Sequence, residues 1–166
     1  MERSFSLAAL LLAPDATASD VDALETMSRE AAALGAAPVI VALPPDVAPP
    51  SGARVVRTKP GGARVTAIRL GMAQLTNTTA RVVLLHPLTA EPSSASTLRA
   101  LVQGFARATP ASDGIVALAG ASLDHSPVLV PRDAWLELVT LGEGGLDALA
   151  ARRPVHRVAV ENAGEE

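Results

Sequence analysis

The sequence contains no cysteine, no tyrosine and only three other aromatic residues: Phe5, Phe105 and Trp135. Without cysteine, the chain can form neither a disulfide framework nor a thiolate metal site. So few aromatic rings nearly exclude the stacking platforms that bind single-stranded nucleic acid. The formal net charge of -3 also argues against a general nucleic-acid binder. We therefore expect no nucleic-acid partner.

Long apolar runs are missing as well, although 49% of the 166 residues are hydrophobic. Asp, Arg or Pro interrupts every run before it reaches the roughly 18 residues of a membrane span. The apolar run 7–13 follows Glu2 and Arg3, and no cleavage pattern comes after it, so we interpret it as a buried strand rather than a signal peptide. We expect one cytoplasmic domain over residues 1–161, a frayed tail at 162–166 and no membrane partner.

Lysine is nearly absent too, because Lys59 is the single lysine among 14 basic residues. Together with frequent Ala, Gly and Pro, this composition is typical of a bacterial, high-GC coding bias. The abundance of arginine is therefore no sign of arginine chemistry.

Short apolar runs alternate with segments in which apolar residues recur every three or four positions. Continuous runs are typical of strands covered on both faces, and the periodic segments are typical of amphipathic helices. The predicted strands are 7–13, 38–43, 54–57, 81–85, 114–119, 127–130 and 155–160. The predicted helices are 21–34, 64–75, 96–107, 131–139 and 144–151. This alternation predicts an α/β fold with helices on both faces of a mostly parallel sheet and one antiparallel edge strand after Gly114.

Four blocks from residue 62 onward keep the order and spacing of a known pattern. They are GARVTAIRLG at 62–71, RVVLLHPL at 81–88, LDHSPVLV at 123–130, and WLEL followed by LGEGGLDAL at 135–149. In this series the chain resembles the MobA-like nucleotidyltransferases, which attach GMP or CMP to the molybdenum cofactor. The resemblance implies a three-layer, Rossmann-like sandwich of the nucleotide-diphospho-sugar transferase type, and a site for a nucleoside triphosphate with magnesium.

The departures from this family lie where its chemistry takes place. The family's glycine-rich phosphate loop corresponds to residues 12–17, which include no glycine, and Pro14 has no amide to offer a phosphate. The family's magnesium-binding carboxylate corresponds to Leu85, which cannot ligate a hard cation. We therefore predict a catalytically inactive binding or scaffolding module without a cofactor, linked to molybdenum-cofactor handling. Its partner would be an unknown protein, a small molecule or a second copy of the chain.

An active transferase with a rearranged NTP and magnesium site is the alternative. Glycine amides and cationic side chains around the start of helix 64–75 would then bind the phosphates. These candidates are Lys59, Gly61, Gly62, Arg64 and Arg69. Asp15 or Asp124 would replace the missing metal ligand.

Histidine supplies the remaining candidate chemistry. His86 follows the predicted strand 81–85, and it is either a loop residue or a ligand or acid–base group at the mouth of the sheet. Asp124, His125 and Ser126 are the residue types of a catalytic triad, but neighbours in an extended segment point to opposite sides, so we do not expect a triad. A third class, a self-assembly module, predicts an exposed apolar patch near Trp135 or strand 155–160.

Overall fold

In the computed structural model, seven strands form one sheet with helices on both faces. The structure describes residues 6–59, 62–89, 94–107, 114–140, 142 and 145–159. Phe5, Gly61, the turn residues 143–144, the end of the last predicted strand at Val160 and the predicted tail 162–166 lie outside these ranges. Within them, no helix has the length and hydrophobicity needed to cross a bilayer.

The elements follow the predicted alternation closely. The strands are β1 Leu7–Leu12, β2 Ala36–Leu43, β3 Arg54–Arg57, β4 Val82–Pro87, β5 Ile115–Leu118, β6 Val128–Pro131 and β7 Val155–Val158. The helices are α1 Val21–Ala33, α2 Arg64–Leu75, α3 Ala95–Arg107, α4 Trp135–Val139 and α5 Gly145–Ala150. Short 3₁₀ turns occupy Ala18–Asp20 and Arg132–Ala134.

The strand order is β3-β2-β1-β4-β6-β5-β7, and only β6 runs antiparallel to its neighbours. The prediction of a mostly parallel sheet is confirmed, but the prediction that the antiparallel strand lies at an edge is wrong. β6 lies between β4 and β5, and all four of its residues are buried. A strand that is apolar on both faces is more stable in the sheet interior, so the partly exposed β7 takes the edge.

Two of the predicted boundaries, at β4 and α4, were wrong because proline marks the end of a strand less sharply than expected. β4 continues through His86 to Pro87, which pair with Leu11 and Leu12 of β1. Pro131 does not begin a helix, because it is extended and closes β6, and α4 begins only at Trp135.

The sheet separates two apolar clusters. One lies beneath α2, α4 and α5, and the other beneath α1 and α3. Gly71 lets α2 lie directly on β1, since a Cβ at this position would be 2.3 Å from Leu10 Cδ1. Trp135 is 3% exposed and donates its indole N–H to the Val130 carbonyl at 3.1 Å, so it belongs to the core.

The proline-rich segment 44–50 is tied down on two sides. The Arg57 guanidinium donates to the carbonyls of Pro44 and Val47 at 2.7 and 2.8 Å. The Ser51 amide donates to the Glu25 carboxylate of α1 at 3.1 Å. Because Val47 is also buried, the segment covers the end of the sheet next to α1.

Candidate ligand-binding site

The carboxyl ends of β1 and β4 border a cleft of about 210 Å³. In the sheet, β2 lies on one side of β1 and β4 lies on the other. The direction in which the chain adds strands therefore reverses between β1 and β4. Open α/β sheets bind their ligands at such a point. The lining residues are Leu12, Ala13, Pro14, Asp15, Ala16, Asp20, Arg64, Leu88 and Thr89.

The turn after β1 forms one wall of the cleft, and most of its main-chain amides are hydrogen-bonded within the protein. The Ala13 amide donates to the Ala42 carbonyl at 3.0 Å, and the Ala16 amide donates to the Ala13 carbonyl at 3.2 Å. The Thr17 amide donates to the Asp20 carboxylate at 2.8 Å. Pro14 has no amide, so Asp15 alone in this turn keeps an amide without a partner among the described residues. A phosphate cradle needs several free amides that converge on one point, and this turn does not provide them.

Arg64 supplies the cation of the cleft. It is the first residue of α2, and its Nη1 donates to the main-chain carbonyl of Asp124 and lies 3.1 Å from His125 Nδ1. Its Nε and Nη2 have no hydrogen-bond partner among the described residues. Arg64 is therefore anchored through one nitrogen and retains donors for a ligand.

Of the other predicted phosphate-binding residues, those that the structure describes do not line the cleft with Arg64. The Gly62 amide donates to the Lys59 carbonyl at 2.9 Å, and a Cβ on Gly62 would lie 3.0 Å from that oxygen. A side chain at position 62 would therefore be tight against the Lys59 carbonyl, and the Gly62 amide already has a partner. Lys59 and Arg69 are exposed, and Gly61 lies outside the described residues. Phosphate binding by these four residues stays a prediction.

The loop 122–126 positions side chains for structural roles. Asp124 Oδ1 accepts from the Leu146 amide at 3.1 Å and so caps α5, and the Ser126 hydroxyl donates to the Ser122 carbonyl at 2.5 Å. His125 contacts Arg64 rather than either neighbour. These contacts agree with the expectation that Asp124, His125 and Ser126 do not form a triad, and they occupy one carboxylate oxygen of a candidate metal ligand.

Leu85 and His86 lie on opposite faces of β4, and neither lines the cleft. Leu85 is 1% exposed and belongs to the cluster beneath α2. His86 is also 1% exposed, and both ring nitrogens lack a hydrogen-bond partner among the described residues. Burial lowers the pKa of His86 to about 4, because desolvation disfavours the imidazolium, so the ring is neutral at pH 7. The structure therefore places His86 inside a strand rather than in a loop or at the mouth of the sheet.

Sequence reasoning missed Asp20 and Thr89 as lining residues. Neither residue is among the candidate binding residues that the sequence singles out. Both follow strands that prove to be neighbours, β1 and β4, so position relative to a strand's carboxyl end is the signal that could have found them.

The charges of the cleft are mixed. Arg64 faces two carboxylates, Asp15 and Asp20, and one oxygen of Asp20 already accepts from Thr17. A polyphosphate needs several cations or a metal ion to offset its charge. The lining as a whole is therefore not complementary to a polyanion.

No protein-family model matches the sequence, and no curated protein matches it. Solved structures do. The chain is similar to the Mycobacterium tuberculosis rv0371c homologue from Mycobacterium sp. strain JC1, with a TM-score of 0.65 and 18% identity, covering 94% of this chain and 86% of that one. It is also similar to 2-C-methyl-D-erythritol 4-phosphate cytidylyltransferase from Thermus thermophilus, with a TM-score of 0.55 and 19% identity, covering 98% and 89% of the two chains. The fold is that of the nucleotide-diphospho-sugar transferases.

A third similar structure widens this comparison. Glucosyl-3-phosphoglycerate synthase from Mycobacterium tuberculosis matches with a TM-score of 0.55 and 13% identity, covering 98% of this chain and 74% of that one. At these identities the likeness establishes the nucleotidyltransferase-type fold and nothing finer. The predicted three-layer, Rossmann-like architecture is confirmed, and function has to be argued from the site.

Proposed function

We propose that this protein is a MobA-like member of the nucleotidyltransferase-type fold that has lost catalysis and acts in the cytoplasm as a binding or scaffolding module in molybdenum-cofactor handling. The observation that carries the proposal is the turn after β1. Its amides at Ala13, Ala16 and Thr17 are already bound within the protein, and Pro14 has none. A triphosphate would have to compete with these contacts for every main-chain donor of this turn except the Asp15 amide.

The end of β4 supports the same conclusion. Leu85, in register with the family's metal-binding carboxylate, packs into the apolar cluster beneath α2. A carboxylate would be costly in such surroundings, and an aliphatic side chain offers no ligand to magnesium. Loss of the phosphate loop and of the metal ligand together removes both affinity for the nucleotide and neutralisation of its charge.

The cleft nevertheless fits a smaller ligand. Its volume of about 210 Å³ is below the roughly 300–1,000 Å³ of ordinary small-molecule sites. Arg64 can donate to one carboxylate or phosphomonoester, and the exposed Asp15 can accept from a hydroxyl or cationic group on the same molecule. A compact ligand with one anionic group therefore suits the lining better than a polyphosphate.

Calorimetric titration tests the proposal directly. GTP, CTP and ATP, each with magnesium, are titrated into the full chain and into Arg64→Ala. We expect dissociation constants weaker than about 1 mM for all three nucleotides with both proteins, the range of non-specific contact. Micromolar binding that Arg64→Ala abolishes, or turnover to a dinucleotide product, would overturn the loss of catalysis.

The alternative is an active transferase with a rearranged site, and one observation favours it. Asp15 is an exposed carboxylate in the same cleft as Arg64, and its amide is unpaired among the described residues. In this mechanism Asp15 would hold the metal ion while Arg64, Lys59 and Arg69 bind phosphates. With GTP or CTP as donor and the molybdenum cofactor as acceptor, the alternative predicts magnesium-dependent transfer of the nucleotidyl group with release of pyrophosphate. Asp15→Asn should abolish that release, whereas the inactive module releases none.

A further inference from the structure

The β3 edge of the sheet presents unpaired main-chain groups. β3 pairs with β2 alone, and the Thr58 amide donates to the Leu43 carbonyl at 2.8 Å. Main-chain groups alternate sides along a strand, so those of Arg54 and Val56 face β2, and those of Val55 and Arg57 face outward. The outward N–H and C=O groups of Val55 and Arg57 have no partner among the described residues.

This edge is open and carries basic side chains. Val55 is 37% exposed, and Arg54 and Lys59 are exposed on either side of it. β3 has no proline and no bulge, but it is only four residues long and carries two arginines. Such charges disfavour pairing with a like-charged strand and leave an oppositely charged one as the fitting partner. An open edge of this kind can accept a further strand from another chain, with the main chain supplying affinity and the side chains specificity.

Charge selects the kind of strand that fits. Residues 47–59, which contain β3 and the segments on either side of it, include three basic residues and no acidic one. The basic residues are Arg54, Arg57 and Lys59. Asp46 lies just before this stretch, and the Glu25 carboxylate accepts from the Ser51 amide. Both groups keep their negative charge, so the positive charge is confined to β3 and Lys59.

We propose that the β3 edge binds an extended, acidic segment of a partner protein by adding it to the sheet as an eighth strand. Arg54 and Lys59 would pair with acidic side chains, and an apolar side chain of the segment would contact Val55. The main-chain groups favour a peptide over a nucleic acid, because nucleic acid offers no matching strand and the described surface has no aromatic residue for stacking. The proposal concerns a different part of the molecule from the cleft and does not depend on it.

Binding of a model peptide tests the proposal. The probe is a fluorescein-labelled, end-capped octapeptide of alternating Glu and Val, and its anisotropy is followed as full-length protein is added. A Glu–Pro octapeptide has the same charge but cannot pair as a strand. We expect the Glu–Val peptide to bind at least about tenfold more tightly than the Glu–Pro peptide, because only it can form the main-chain bonds.

Three variants locate the site. Val55→Pro removes an outward N–H and leaves the bonds to β2 intact, so it is expected to weaken Glu–Val binding about tenfold with little change in melting temperature. Arg54→Glu is expected to weaken binding by a similar factor through charge repulsion, whereas Arg99→Glu on α3, far from β3, is the matched control and should change binding less than about twofold. Amide chemical shifts should change at 53–59.

Several outcomes would overturn the proposal. Equal binding of the Glu–Val and Glu–Pro peptides would reduce the surface to non-specific charge attraction. Wild-type affinity in Val55→Pro, or shift changes away from 53–59, would move the site elsewhere. Displacement of the peptide by an equal concentration of a 20-nucleotide oligothymidine would point to nucleic acid instead. If Val55→Pro fails to fold, Arg54→Glu and the shift mapping still decide the question.

Discussion

Polar side chains are bonded differently at the two ends of the parallel strands. At the amino ends, Arg132 donates to the carbonyls of Thr78, Ala80 and Thr76 at 2.6, 2.7 and 2.9 Å. Its guanidinium lies 4.8 Å from the Trp135 ring centroid. At the carboxyl ends of these strands, Arg64 is held through a single nitrogen. His86, buried within the last residues of β4, has no hydrogen-bond partner among the described residues.

This contrast separates stability from binding. Arg132 joins the end of α2 to the start of α4 and spends its donors inside the protein. Arg64, at the other end of the same helix, keeps donors that face a cleft. A buried group without a partner costs free energy, so such groups persist where the surrounding structure is stable enough to tolerate them.

The largest expected effect is the pH dependence caused by His86. The pKa of His86 is about 4 in the folded protein against roughly 6.5 when unfolded. Above pH 6.5 His86 is neutral in both the folded and the unfolded state, and it does not lower the free energy of unfolding. As the pH falls from 6.5 to 4, the unfolded state binds the proton first, so the free energy of unfolding decreases by about 3 kcal/mol. His86→Leu should lack this loss, as urea unfolding of both proteins between pH 7.5 and 4.5 would show. A stability difference that stays constant over this range would contradict the account.

Arg132→Ala should have the next largest effect. It leaves three carbonyls without their donor and removes the contact with Trp135, so we expect a loss of about 2–3 kcal/mol in the free energy of unfolding. Arg132→Lys should recover only part of this, because an ammonium cannot span the same carbonyls. Arg81→Ala, an exposed neighbour, is the control and should cost less than about 0.5 kcal/mol. Denaturant unfolding at pH 7.5 measures all three.

The smallest expected effect is that of Arg64→Ala on stability. Arg64 is half-buried and uses one nitrogen, so its removal should cost about 0.5–1 kcal/mol, clearly less than Arg132→Ala. The same denaturant series measures it. If Arg64→Ala lowered the free energy of unfolding as much as Arg132→Ala, Arg64 would have a structural role like that of Arg132. The cleft would then have no candidate binding group.

Much of the fold could be predicted because its strands are short apolar runs and its helices are periodic. The place of β6 in the sheet could not, since a run such as VLV shows that a strand is buried but not which strands flank it. The extension of β4 was missed because His86 and Pro87 are typical of strand ends. The use of Arg132 was hidden as well, since its carbonyl partners lie 52–56 residues earlier in the chain.

The candidate site was predicted in part. Arg64 was among the expected binding residues, and the loss of a phosphate loop was evident from Pro14 and the missing glycines. That the amides of Ala13 and Ala16 are already bound could not be foreseen, because it depends on how the turn closes against Ala42 of the next strand. The identities of Pro14 and Leu85 indicated that the site does not suit a triphosphate with magnesium. The hydrogen bonds of the turn after β1 showed which amides a ligand can still reach.

The contact between Gly71 and Leu10 has a consequence for how the cleft can work. With no gap between helix and strand, α2 cannot slide toward the sheet or roll over it without a clash. This packing restricts the movement of the helix that carries Arg64, so a ligand has to fit the shape of the cleft on that side. Selectivity would come from excluding molecules that are too large for the cleft, and such exclusion requires no conformational change.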